Sequence, residues 1–151
     1  MVLVIIPYTR KRYGFPVVVA LCVSAILNIL LKDIFHRARP DSSGWLIHEV
    51  DYSFPSGHSQ NSAAFFITIA VLLLTNVKQK KIKIPLVTLC IILPLIVGFT
   101  RVYLGVHFTG DVLAGWALGA AVAFATVAIW AIFGELLKKH EKTHQFFFID
   151  E

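Results

Sequence analysis

Residues 112–134 read VLAGWALGAAVAFATVAIWAIFG, and these 23 consecutive residues carry no charge. About 20 apolar residues in a helix are enough to cross the hydrocarbon core of a bilayer. Three further uncharged runs of 16 or 17 residues precede this one, at 15–31, 62–77 and 84–99. The sequence therefore predicts an all-α membrane helical bundle with about four complete transmembrane helices. We expect the three shorter spans to use polar flanking residues or to thin the bilayer locally.

The distribution of charge supports the same fold class. Of the 151 residues, 57% are hydrophobic and 15% are charged, whereas soluble domains usually contain about 25% charged residues. Ten of the fourteen Lys and Arg residues lie in three clusters, at 10–12, 78–83 and 138–142. Four membrane crossings place all three clusters on one face, which the positive-inside rule makes cytoplasmic. We therefore interpret the net charge of +5 as topological and expect no nucleic-acid partner.

The chain is expected to form a single membrane domain over residues 1–151, with a cytoplasmic tail at 138–151. Met1–Ile6 is apolar, too short to span a membrane, and followed by basic residues; this is the wrong order for a signal peptide. It resembles the end of a helix whose beginning is absent, so we expect the domain to be N-terminally incomplete. Tyr8–Gly14 and Lys78–Lys83 are predicted to be cytoplasmic turns.

Two patterns inside the apolar runs concern helix packing. Gly115 and Gly119 form a GxxxG pair, which is typical of close contact between membrane helices. Pro85 is predicted to open the third helix, because proline suits the first helical turn.

The outer face carries three clusters of polar residues. The first is Lys32 followed by Arg39-Pro40, the second is Pro55-Ser56-Gly57-His58, and the third is Arg101, His107 and Asp111. Lys32, Arg39 and Arg101 bring three positive charges to one membrane surface. Fixed cations can stabilise the charge that develops on phosphate oxygens without a metal. The alternative for each cation is attraction to anionic lipid headgroups.

The second cluster stands at the predicted start of a helix. Ser56 can cap that helix, and Gly57 lets its backbone approach a ligand closely. The free amides at a helix N-terminus bind anions, and His58 follows directly. The alternative interpretation is a simple turn with a helix cap.

His107 and Asp111 are four residues apart and are predicted to share a helix face. A carboxylate on one imidazole nitrogen fixes the tautomer and leaves the other nitrogen free to attack or to accept a proton. The alternative is an ordinary ion pair on a helix.

Taken together, the three clusters resemble the type 2 phosphatidic acid phosphatase superfamily, which includes vanadium haloperoxidases and glucose-6-phosphatase. The pattern of that family is KxxxxxxRP, PSGH and SRxxxxxHxxxD, and the chain reads KDIFHRARP, PSGH and TRVYLGVHFTGD. Ten specified residues recur at the family's spacings, and Thr100 stands in place of the serine. The resemblance extends from Lys32 to Asp111. Membrane members generally have six helices, so it also implies that two helices before the first motif are missing.

The resemblance implies a multi-pass phosphatase of the bacterial cell membrane that needs no metal or other cofactor. Its substrate would be a lipid phosphate monoester or diphosphate at the extracytoplasmic face, such as phosphatidylglycerol phosphate, phosphatidic acid or undecaprenyl diphosphate. His107 would be the nucleophile that forms a phosphohistidine, Asp111 would orient it, and His58 would protonate the leaving oxygen. The phosphate would be held by Lys32, Arg39, Ser56, Gly57 and Arg101. No pattern indicates an oligomeric state.

Two other interpretations remain open. Residues 140–144 read HEKTH, which matches the HExxH signature of zinc proteases. This motif lies in the charged tail after the last span, where no third ligand is evident. The chain could also be a non-catalytic membrane protein on the same fold, although every catalytic position of the pattern is present.

Overall fold

The computed structural model describes the backbone of residues 2–147 and the side chains of residues 14–136. Every regular element in this range is helical. The four long helices are α1 (Val2–Phe35), α2 (Gly57–Asn76), α3 (Lys80–Tyr103) and α4 (Thr109–Phe147), and Ser42–Gly44 forms a short 3-10 helix between α1 and α2. Each long helix contains a stretch of 20 to 28 residues that is long and apolar enough to cross a membrane. The predicted all-α, multi-pass architecture is confirmed.

Three predicted boundaries were wrong. Tyr8–Gly14 is not a turn, because α1 continues through it from Val2; Arg and Lys are good helix formers and do not interrupt a helix. The second predicted turn is shorter than Lys78–Lys83, since α3 already begins at Lys80. Pro85 consequently lies inside α3 rather than at its start. At the other end, α4 continues to Phe147, so the backbone of residues 138–147 in the predicted tail is helical.

The centre of the bundle is the contact between α2 and α4. A Cβ atom added to Gly119 would lie 2.2 Å from the backbone oxygen of Gln60, and one added to Gly115 would lie 2.8 Å from that of Ser56. Ala63 and Ala64 complete this face and are 1% and 0% exposed. The structure confirms that the GxxxG pair packs helices, because only glycine permits this approach of the two backbones.

A buried polar network joins α1 to α2. Ser24 Oγ donates to Asn61 Oδ1 at 2.7 Å, and Asn28 Nδ2 donates to Gln60 Oε1 at 2.9 Å. Gln60 Nε2 in turn donates to the backbone oxygen of Ser24 at 2.9 Å. Asn28 Nδ2 also reaches the backbone oxygen of Pro55, at 3.2 Å. Because buried polar groups must be paired, this network fixes α1 against α2 and ties the segment before α2 to α1.

The connection between α3 and α4 packs under the long loop that follows α1. Gly105 adopts a φ of +74°, and a Cβ atom there would lie 2.4 Å from the backbone oxygen of Gly44. Leu46 N donates to the oxygen of Leu104 at 3.1 Å. Glycine is required at position 105 both for its left-handed conformation and for this close approach. The loop at residues 36–56 is thereby held over residues 104–108.

Candidate active site

His107 lies in the connection between α3 and α4 and is 4% exposed. Its Nδ1 is 3.5 Å from Asp111 Oδ2, and its Nε2 is 3.2 Å from Arg39 Nη1. A guanidinium group only donates hydrogen bonds, so Nε2 must accept through its lone pair. These partners assign the imidazole proton to Nδ1. The nitrogen with a free lone pair therefore faces Arg39, and the protonated nitrogen faces Asp111.

The prediction that His107 and Asp111 share a helix face was wrong, although the two side chains do meet. Helix α4 begins at Thr109, so His107 precedes it. Asp111 lies in the first turn, and its Oδ2 reaches back to accept the backbone N–H of Phe108 at 2.9 Å. This is the reciprocal half of a capping box, in which a side chain in the first turn satisfies the amide at the cap position. The contact with His107 thus depends on the helix start.

Two further side chains hold Asp111, whose exposure is 0%. Ser53 Oγ donates to Oδ2 at 2.5 Å and lies 3.4 Å from His107 Nδ1. Arg37 Nη1 donates to the other carboxylate oxygen, Oδ1, at 2.7 Å. Neither residue was predicted to belong to the site. The available signal was that Arg37 is one of few cations on the predicted outer face, two residues from Arg39; for Ser53 no comparable signal exists.

The end of α1 directs these arginines towards α4. His36 N donates to the backbone oxygen of Lys32 at 3.0 Å, and His36 itself has a φ of +44°. A residue in the left-handed region is a common way to end a helix. The chain therefore turns sharply after Phe35, and Arg37 and Arg39 reach opposite ends of the His107–Asp111 pair.

The two cations of the first cluster share one carboxylate. Lys32 Nζ donates to Asp51 Oδ2 at 2.6 Å and to the backbone oxygen of Tyr52 at 2.5 Å. Arg39 Nη2 pairs with Asp51 Oδ1, and Arg39 Nη1 donates to the oxygen of Val106 at 2.8 Å. Burial alone would raise the pKa of Asp51, but the hydrogen bonds from Lys32 and Arg39 outweigh it and lower that pKa below 3.8. Sequence reasoning missed this residue.

The second cluster lies at the start of α2, but Ser56 does not cap it as predicted. Ser56 occupies the cap position without a side-chain hydrogen bond to the helix, because its hydroxyl instead accepts from Ser59 Oγ at 3.0 Å. Its backbone N–H donates to the oxygen of Asp111 at 3.1 Å, which joins this cluster to the third. A Cβ atom at Gly57 would lie 2.9 Å from Asn28 Oδ1, so a larger residue there would have to displace the Asn28 side chain of α1.

His58 and Arg101 complete the set at the same end of the bundle. His58 is exposed, and Arg101 is the charge that acts most strongly on it. Arg101 Nε lies 3.4 Å from Thr100 Oγ1. Thr100 Oγ1 itself donates to the backbone oxygen of Val97 at 2.7 Å. The threonine hydroxyl thus contacts the arginine that follows it.

Burial and the positive charge of Arg39 act in the same direction on the pKa of His107. Burial, followed by the positive charge of Arg39, lowers the pKa of His107 from 6.5 to about 4, against the opposing effect of Asp111. The side chain is therefore neutral at physiological pH and can act as a nucleophile or base.

No group of three His, Cys, Asp or Glu side chains is placed to hold a metal ion within residues 14–136. The HExxH motif at 140–144 lies outside the side chains that the structure describes.

Known proteins share both the sequence pattern and the architecture. The PAP2 superfamily matches residues 13–134. Phosphatidylglycerophosphatase B of Bacillus subtilis is 37% identical over 121 residues, which are 78% of this chain and 58% of that protein. Undecaprenyl-diphosphatase of Sulfolobus acidocaldarius is 35% identical over 132 residues, which are 84% of this chain and 59% of that protein. The chain therefore spans less than two thirds of the length of these relatives.

A solved structure shows the same helical arrangement. The crystal structure of a transmembrane PAP2-type phosphatidylglycerolphosphate phosphatase from Bacillus subtilis superimposes with a TM-score of 0.72 at 35% sequence identity. The match covers 85% of this chain and 66% of that structure.

Proposed function

This chain belongs to the PAP2 superfamily, and from that premise we propose that it is a lipid phosphatase that works through a phosphohistidine intermediate. The observation that carries the proposal is the orientation of His107. Its Nε2 is turned towards Arg39, a cation that the family pattern assigns to phosphate, and its Nδ1 is turned towards Asp111. A neutral imidazole held between a cation and a carboxylate suits attack on a phosphorus atom.

In the first step, Nε2 of His107 forms a bond to phosphorus as the bond to the leaving oxygen breaks. His58 gives its proton to that oxygen, which is general acid catalysis. The imidazole gains positive charge, which the buried carboxylate of Asp111 stabilises through Nδ1–H. The cations Lys32, Arg39 and Arg101 balance the charge on the phosphate oxygens.

In the second step, water attacks the phosphohistidine and the bond from phosphorus to Nε2 breaks. His58, now neutral, accepts the proton of the water, so both histidines return to their starting states. We propose that the amides of the first turn of α2 also bind the phosphate, since the first N–H groups of a helix have no partner within it and Gln60 N is the one that bonds to Ser56 O, at 2.9 Å. Every group required for both steps belongs to this chain, so we propose that the reaction needs no metal.

We propose that the active site lies on the extracytoplasmic side of the membrane. The site lies at the α1–α2 and α3–α4 connections, whereas the basic cluster around the α2–α3 connection lies at the opposite end of these helices. The positive-inside rule makes that opposite end cytoplasmic. Membrane-impermeant thiol reagents should therefore label a cysteine at Ser43→Cys but not one at Gln79→Cys. The reverse pattern of labelling would overturn the orientation.

The proposed substrate is a phosphate monoester or diphosphate of a lipid. Relatives named for phosphatidylglycerophosphate and for undecaprenyl diphosphate are similar to this chain to nearly the same degree, 37% and 35%. Both substrates, together with phosphatidic acid, belong in the first assay.

The decisive experiment measures phosphate release by the purified protein in detergent with EDTA present. His107→Ala should reduce turnover by at least roughly 1,000-fold, because the nucleophile is lost. His48→Ala is the matched control, since His48 is an exposed histidine of the same outer region, and it should retain activity. A wild-type protein that folds but releases no phosphate would refute the proposed activity.

Two additional measurements separate the mechanism from its alternatives. Substrate labelled with ³²P should leave an acid-labile label on the wild-type protein and none on His107→Ala. A double variant, His140→Ala/His144→Ala, should remain active. The zinc interpretation would be supported instead if EDTA abolished the wild-type activity and the double variant were also inactive.

A further inference from the structure

The carboxylate of Asp111 is fully buried, so its stability depends on the groups that pair with it. A buried carboxylate costs several kcal/mol unless it is paired and hydrogen-bonded. Its Oδ2 receives the backbone N–H of Phe108 and the hydroxyl of Ser53. Its Oδ1 receives Arg37 Nη1 at 2.7 Å. His107 is neutral in the resting state, so among the described residues Arg37 is the one cation in an ion pair with Asp111.

Arg37 is itself held in place at this contact. Its guanidinium lies over the ring of Phe108, 4.5 Å from the ring centroid, which is a favourable cation–π distance. Phe108 directly follows His107 and provides the amide that Asp111 accepts. Arg37, Asp111 and Phe108 thus form a closed set of contacts at the first turn of α4.

We propose that Arg37 is a positioning residue of the reaction, which fixes the Asp111 carboxylate against Nδ1 of His107. This inference rests on the proposed phosphohistidine mechanism. The loose contact between Nδ1 and Oδ2, 3.5 Å, must tighten when the imidazole becomes charged. By holding Oδ1, Arg37 keeps the carboxylate from rotating away from the imidazole before that moment. Ser53 holds the same carboxylate from the other oxygen.

The alternative is that Arg37 binds the substrate phosphate, as Arg39 is proposed to do. The geometry argues against it, because the two arginines lie at opposite ends of the catalytic pair. Arg39 Nη1 is 3.2 Å from Nε2, the nitrogen that attacks. Arg37 contacts Asp111, which lies beyond Nδ1 on the other side of the ring.

The two roles predict different kinetics. Arg37→Gln should lower kcat by about 10- to 100-fold, by analogy with the loss when a group that orients a metal ligand is removed, with KM changed by less than about threefold. Loss of a phosphate ligand would instead raise KM and weaken inhibition by inorganic phosphate. Arg37→Lys keeps the charge and should recover part of kcat.

The pH dependence gives a readout that a purely structural role would not change. Within residues 14–136, the charged groups that act on the His107–Asp111 pair are Arg37, Arg39 and Lys32, all from the end of α1 and the loop after it. Removing one of these cations makes protonation of the imidazole or the carboxylate easier. The acid limb of kcat should therefore move to higher pH in Arg37→Gln, and the wild-type profile on the same substrate is the reference.

The experiment compares wild type, Arg37→Gln, Arg37→Lys and Lys81→Gln, which removes one exposed positive charge near the start of α3, far from the site. Thermal unfolding confirms that each variant is folded. Titration of the His107 signal by NMR of ¹⁵N-histidine-labelled protein needs no turnover and should move to higher pH only in Arg37→Gln. An unmoved titration, or an unchanged kcat in an active enzyme, would overturn the proposal. An inactive wild type with the titration shifted would refute the proposed function and leave the Arg37–Asp111 coupling established.

Discussion

Replacing Asp51 with asparagine tests whether a carboxylate of the chain competes with the substrate for Lys32 and Arg39, the cations proposed to bind its phosphate. Asp51 accepts from Lys32 Nζ at 2.6 Å and pairs with Arg39 Nη2. Both cations are nearly buried, with side chains 10% and 6% exposed, whereas the Asp51 side chain is 51% exposed. Asp51 therefore lies on the exposed side of the two cations, and we expect an incoming phosphate to approach them from that side.

The magnitude follows from the exposure of Asp51. Each ion pair with a half-exposed partner contributes about 0.2 to 1 kcal/mol, so the two together contribute about 0.4 to 2 kcal/mol. Every 1.4 kcal/mol corresponds to a tenfold change in affinity. Asp51→Asn should accordingly bind inorganic phosphate roughly 2- to 30-fold more tightly than wild type. Because its pKa is lowered, Asp51 stays ionised above pH 5, and the gain should not vary with pH there.

The assay is the competitive inhibition constant of inorganic phosphate against a lipid phosphate at pH 7. Asp33→Asn is the control, since it removes an exposed negative charge next to Lys32. Glu49 Oε2 lies 3.6 Å from Arg39 Nη2 and can partly replace Asp51, so the Asp51→Asn/Glu49→Gln double variant should bind phosphate more tightly still. Equal inhibition constants in wild type and Asp51→Asn would refute competition. A lower kcat at an unchanged inhibition constant would show that Asp51 orients the cations instead.

Three other predictions concern the imidazole and the glycines. The neutral state of His107 should persist below pH 6.5, since a lowered pKa means that protons bind only at lower pH; a histidine NMR titration with its midpoint above 6.5 would contradict this. Gly119→Ala should lower the thermal unfolding midpoint of the protein in detergent, because its Cβ would overlap a backbone oxygen of α2, whereas Gly134→Ala, with nothing within 4 Å, should not. Gly105→Ala should reduce both stability and turnover, because a positive φ and the backbone oxygen of Gly44 leave no room for a side chain; Gly44→Ala is the control, and equal loss in both variants would count against this reasoning.

The helices were predictable because hydrocarbon thickness limits how a chain can cross a membrane. Uncharged runs gave the correct number of spans within the described residues, and the GxxxG pair gave the contact between α2 and α4. Boundaries were less predictable, since charge alone does not end a helix. The basic residues at 10–12 continue α1, and Lys80 already lies in α3.

The convergence of several motif residues was predictable as far as fixed spacing specified it, whereas their roles remain predictions. Lys32, Arg39, His107 and Asp111 converge as their motifs imply. Asp51 and Ser53 could not be predicted, because their contacts depend on how the loop at 36–56 folds over the α3–α4 connection. That path depends on a left-handed glycine and on backbone hydrogen bonds, which leave little trace in spacing or composition.

Charge compensation connects these unpredicted residues with the proposed reaction. The site lies at the end of a membrane bundle, where low-dielectric surroundings increase the interaction energy between charges. In the resting state Asp51 pairs with both Lys32 and Arg39, and Arg37 pairs with Asp111. A phosphate that displaces Asp51 takes over its two cations, while Asp111 remains paired and ready for the positive charge that forms on the imidazole. The exposed carboxylate of Asp51 would thus be exchangeable, and removing it should tighten phosphate binding. The buried carboxylate of Asp111 would be fixed, and removing its partner Arg37 should slow the chemical step.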